Sequence, residues 1–165
     1  MAGGPLILPN IDYGTTGHIA PGVFVSNSNS MRIPAHRLAA DLDTLADATL
    51  TMMGPAPVTL PTGTAKLVLN AYAEATSTQS VRVNPKWKSF AATESIDLAV
   101  GSLNAEGVTD IEWTSAEAGD LLQTKITLDA DTWVAGETIL LQIVFESTLS
   151  DLDVASYWQA HIIWE

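Results

Sequence analysis

The chain has 165 residues, 47% of them apolar, with 7 basic and 19 acidic side chains, a formal charge of −12 and no cysteine. That length carries one domain with a sizeable core, the apolar share is too high for a disordered chain, and the missing cysteine excludes disulfides, thiol nucleophiles and zinc fingers. The acidic excess excludes the basic stripe that binding phosphate backbones demands and disfavours anionic membranes, so neither nucleic acid nor membrane is an expected partner. No 18-residue apolar run is available to span a bilayer, and the opening residues lack the charged and apolar regions of a signal peptide, so none is expected.

Residues 1–30 are rich in glycine and proline (Gly3, Gly4, Gly14, Gly17, Gly22, Pro5, Pro9, Pro21) and keep no period of 3.6 or 2. They read as an extended N-terminal arm. The arm still carries Leu6, Ile7, Leu8, Ile11, Tyr13, Val23, Phe24 and Val25, and large apolar groups need a surface to cover them. Two covers are open: the arm wraps its own domain, or it docks on another chain. The docked arm is the reading carried forward, with these eight residues as its partner-binding set, because thirty extended residues reach up to ~100 Å.

Residues 31–54 read as a short helix and connector. Pro34 suits a first helical turn, Leu38, Leu42 and Leu45 form one stripe over 31–48, and Gly54-Pro55-Ala56-Pro57 closes the segment. Such a helix is marginal alone and requires something to pack on.

Residues 55–165 alternate apolar and polar like strands, at 64–73, 79–84, 95–100, 108–114, 121–129, 137–147 and 156–164, with short pieces at 58–60 and 87–91. Pro61-Thr62-Gly63, Asn84-Pro85 and Ala135-Gly136 are turn chemistry. The expected fold is all-β: an antiparallel, jelly-roll-like sandwich of about eight strands, with the arm and one helix attached. Strands 137–147 and 156–164 break the alternation with Leu140, Val144 and Ile163 on their outer faces. Side by side they would leave an apolar patch, read as an oligomer interface unless the helix covers it.

Chemistry is sparse. His18, His36 and His161 share no ligand spacing, so no metal or cofactor is expected. Asp129/Asp131 and Asp151/Asp153 offer carboxylate pairs but lack the glycine and glutamate of a calcium loop. No phosphate loop, nucleophile elbow or zinc-protease motif occurs. The cationic group Arg82, Lys86 and Lys88 reads as one solvated face. Trp113, Trp158 and Trp164 fall in phase with the core. Trp87 and Trp133 do not, and are the candidates for a glycan or partner platform.

The stretch from Thr127 through Trp133, Gly136 and Glu146 to Trp158 and Glu165, together with the arm-helix-sandwich layout in a short acidic chain, resembles the capsid decoration (auxiliary head) proteins of tailed bacteriophages. That resemblance implies a non-enzymatic virion protein on the outer capsid. It would form a homotrimer and bind the major capsid protein through its arm, clamping neighbouring subunits. The alternatives are another virion component (tail, fibre or head-fibre base) and a carbohydrate-binding β-sandwich module using Trp87 and Trp133.

Overall fold

The computed structural model describes residues 5–14, 19–25, 32–40, 46–75, 77–94, 103–116, 120–130, 133–151 and 154–165. Among them are eleven strands and no helix: β1 (Asn10–Asp12), β2 (Ile19–Val25), β3 (Arg32–Leu38), β4 (Ala48–Pro55), β5 (Ala65–Ala73), β6 (Ser77–Phe90), β7 (Asn104–Ala105), β8 (Thr109–Ala116), β9 (Leu121–Thr127), β10 (Thr138–Asp151) and β11 (Ser156–Trp164). They form two antiparallel sheets. The first runs β1-β4-β10-β6-β7, with β8 also on β6; the second runs β2-β3-β11-β5-β9. The chain is thus a small all-β sandwich.

The period-2 pattern explains the layering. Ile139, Leu141, Ile143 and Phe145 of β10 point inward and are fully buried, as are Leu67, Leu69 and Ala71 of β5. Phe145 and Trp158 meet edge to face between the sheets, ring centroids 5.1 Å apart. At one end Trp133 bridges the layers, 5.5 Å from Trp87 of the first sheet and 6.2 Å from Trp164 of the second. Gly63 makes its turn at φ 115° against the Glu165 backbone, where a Cβ would meet the Glu165 carbonyl oxygen at 2.6 Å.

Several expectations need correction. The helix over 31–48 does not form in its described part: Arg32–Leu38 is β3, laddered on β2 and on β11, while Leu42 and Leu45 lie outside the described residues. Leu38 is buried as one inward position of a strand. Pro34 is as compatible with a strand whose N–H side lacks a partner as with a helix start, and two ladders supply the backbone bonds that a marginal helix would have made.

Asn84-Pro85 is not a turn. β6 runs through it, with Ile143 opposite Pro85. The Pro85 carbonyl accepts from Glu106 N–H at 3.1 Å, so that side of the residue faces the gap between β7 and β8, where a missing N–H breaks no ladder. Residues 58–60 are not a strand. The strand expected at 95–100 lies outside the described residues.

The opening residues are woven into both sheets. Leu6 N–H donates to Ile162 O (2.7 Å) and Ile162 N–H to Leu6 O (3.0 Å); β1 pairs with β4, and β2 with β3. Leu8 and Phe24 are buried within their own chain, Leu6 and Tyr13 pack partly against the core, and Ile7, Ile11, Val23 and Val25 stay exposed.

Candidate functional site

The register of the second sheet gathers a polar row on its outer face. Gln159 of β11 stands opposite Asn70 of β5, which stands opposite Gln123 of β9. Alternation places all three side chains outward, between a Tyr157-Tyr72 row and a row of His161, Val68 and Lys125. Gln123 Nε2 donates to Asn70 Oδ1 at 2.9 Å, and Gln159 Nε2 donates to Pro34 O at 2.8 Å. These bonds leave Asn70 Nδ2 and the carbonyls of Gln123 and Gln159 available to a ligand.

The β2–β3 hairpin overhangs this face. Phe24, on the edge strand, stacks on Tyr72 (5.4 Å, 16°) and meets Tyr157 edge-on (5.6 Å), although β3 and β11 lie between β2 and β5 in the sheet order. Gly22 permits the approach, since a Cβ there would meet Arg37 Cβ at 2.8 Å and the Tyr157 ring at 3.3 Å. Tyr157 Oη and Arg37 both donate to Glu74, at 3.2 and 3.3 Å, which ties β3, β11 and the end of β5 together.

Beneath the overhang is a cleft of about 580 Å³. It arises because the β3–β11 ladder stops at His36 and Trp158, before Leu6 joins β11 at Ile162. The register would next set Ala160 against Pro34, which has no N–H to donate. Ile162 turns both backbone groups toward Leu6, and Ala160, two residues earlier, turns its carbonyl to the same side. That carbonyl therefore faces the cleft without a ladder donor from β3. Pro5, Ile7, Pro21, Pro34 and Ala35 supply apolar walls; Tyr13, His36, Asn70, Gln159 and His161 supply polar groups.

Tyr13 Oη and His36 Nδ1 lie 3.0 Å apart. Burial pushes the Tyr13 phenol up and holds both imidazoles, His36 and His161, below their ordinary range. All three are therefore neutral at pH 7. Among the described residues no carboxylate, lysine or arginine lines the cleft, and no three metal-ligating side chains come together.

Residues singled out from sequence fall elsewhere. Trp87 and Trp133 are 2% and 4% exposed, so neither indole offers a platform. Leu140 and Val144 are half-buried on the outer face of the first sheet, whereas Ile163 is half-buried on the outer face of the second. β10 and β11 are not neighbours, so these three do not make one patch. Arg82 is held by Asp110 through two bonds of 2.6 and 2.7 Å, and Lys88 by Glu94 at 2.6 Å, which leaves no basic cluster. His18, Asp131 and Asp153 lie outside the described residues. His36 and His161 do converge on the cleft, 125 residues apart in the chain, which no local spacing announces. The amide row is visible in sequence only as outward positions of separate strands.

No family model and no curated protein matches this chain. Among solved structures it is similar to a CBM28 carbohydrate-binding module specific for non-crystalline cellulose, with TM-score 0.54 and 9% identity over 93% of this chain and 87% of that one. It is also similar to the Caldicellulosiruptor saccharolyticus CBM27-1 in complex with mannohexaose (TM-score 0.51, 9% identity, 98% and 97% covered). A third similarity is to the arabinose-bound MgGH51 α-L-arabinofuranosidase (TM-score 0.53, 9% identity), of which this chain spans only 24%. The fold shared with these structures is a jelly-roll-like β-sandwich of two antiparallel sheets. None of these three structures is a capsid decoration protein, and identity this low shows the fold alone.

Proposed function

We propose that this chain is a non-catalytic module that binds a neutral oligosaccharide in the cleft between β11, β5 and the overhanging β2–β3 hairpin. The observation that carries the reading is the pair of amides Gln159 and Asn70 lining that cleft, with Gln123 extending their row along the exposed sheet face beside it. Amides offer donors and acceptors in pairs, which matches hydroxyls, and they carry no charge. The described lining residues carry no charged side chain, which favours a neutral ligand over a uronic acid or a phosphate. The fold similarity to carbohydrate-binding modules supports the same class. The test is calorimetric titration with a panel of neutral oligosaccharides: glucose, mannose, xylose and N-acetylglucosamine oligomers. Binding of at least one member, weakened in Gln123→Ala, is the expected result; a folded chain that binds none overturns the reading.

A second reading keeps a structural role on a phage particle, as a homotrimer bound to the major capsid protein on the outer shell. Exposed Ile7, Ile11, Val23 and Val25 favour it, since all four come from the first 25 residues and remain uncovered by this chain. Sedimentation of the purified chain tests it: a trimer is expected under this reading, and a monomer at all concentrations argues against it.

A further inference from the structure

We infer that the cleft selects a saccharide bearing a 2-acetamido group, with the acetamido seated between Pro34 and Ala160. The inference rests on the saccharide-binding reading and narrows its substrate class. Three features of the gap fit an acetamido, and the apolar wall distinguishes it from a bare hydroxyl.

The first is the Ala160 carbonyl. It faces the cleft because β11 turns that side toward Leu6 and β3, and Pro34 cannot donate to it. A partly desolvated carbonyl of this kind seeks an N–H, and an acetamido carries one. The second is the wall. Pro5, Ile7 and Pro34 present ring and alkyl carbons with no side-chain polar atoms. An acetamido methyl gains by leaving water against such a surface, whereas a hydroxyl in its place is stripped of water without a partner. The third is the neutral pair Tyr13-His36, in contact at 3.0 Å. Once one group donates to the other, the pair retains a further N–H or O–H able to reach an acetamido oxygen. The volume of about 580 Å³ accommodates the substituent together with its sugar ring. The ring hydroxyls would then meet the amides of Asn70 and Gln159.

The test compares chitotetraose with cellotetraose, which share a backbone and differ at C2 alone, by calorimetry on the intact chain. Chitotetraose is expected to bind at least about tenfold more tightly, the discrimination typical of one matched polar contact plus one buried methyl. Ala35→Leu, which fills the cleft from β3, should abolish that preference while the β-sheet circular dichroism is unchanged. Ile7→Ser, at a 68% exposed position where folding is safe, should reduce it. Equal or tighter binding of cellotetraose overturns the inference and leaves the saccharide reading standing. So does a chain that binds other neutral oligomers of the panel but not chitotetraose. A folded chain that binds no oligomer overturns both.

Discussion

Pro34 of β3 occupies the position that would face Ala160 of β11 if their ladder continued beyond His36 and Trp158. One missing N–H thus separates a closed sheet from a sheet with a cleft in it. The Pro34 carbonyl is not left idle, because Gln159 Nε2 donates to it at 2.8 Å.

Pro34→Val should therefore restore a donor opposite Ala160 and extend the ladder. Stability is expected to rise by about 1 kcal/mol, the net value of one hydrogen bond. A protected amide should appear at position 34 in hydrogen exchange, and saccharide affinity should fall as the cleft closes. A more stable variant with undiminished affinity would detach the cleft from binding.

Gln123 sits on the exposed end of the amide row, where its main protein contact is Asn70. Gln123→Ala should change stability by no more than about 0.5 kcal/mol and lower saccharide affinity roughly 3- to 10-fold, one hydrogen bond's worth. Parallel calorimetry and urea titration check both parts.

Gln79 is 3% exposed, and neither its Nε2 nor its Oε1 has a partner. Gln79→Leu keeps the approximate volume and removes two stranded polar atoms. The expected outcome is a stabilisation of about 1–3 kcal/mol, read as a higher urea midpoint with an unchanged slope.

Trp133 also buries an indole N–H with no partner, and it lies in the core rather than in the cleft. Trp133→Phe should leave oligosaccharide affinity unchanged. A fall in affinity without loss of fold would return this tryptophan to the binding site.

His36 and His161 are both held below their ordinary pKa of 6.5 by burial. The unfolded chain then binds more protons than the folded one just below that value, so stability rises with pH there. Thermal midpoints should be highest above pH 6.5 and fall as the pH drops below it. Glu94 and Asp110 are held low by Lys88 and Arg82 and lose their contribution only in more acidic solution. His36→Gln should flatten the profile between pH 5 and 7; an unchanged slope would place the titrating groups elsewhere.

The strands were legible because a half-buried antiparallel strand must alternate. Leu67, Leu69 and Ala71 against Lys66, Asn70 and Tyr72 mark β5 from sequence alone, and the same rule marks β8, β9, β10 and β11 to within a few residues. That alternation, with the turn residues between strands, pointed to the all-β class, while composition supplied the acidic excess of 19 acidic over 7 basic side chains. Proline was ambiguous: Pro34 and Pro85 read as a helix start and a turn, yet both sit in strands, because the neighbouring chain on their N–H side is absent or displaced. Only the tertiary structure decided that. It also decided that β10 and β11 belong to different sheets, which separates Leu140 and Val144 from Ile163, and that Trp87 and Trp133 are buried. The cleft belongs wholly to the tertiary level. It joins Tyr13, His36, Asn70 and Gln159 through pairings distant in sequence, and periodicity within one strand carries no information about which strand lies beside it.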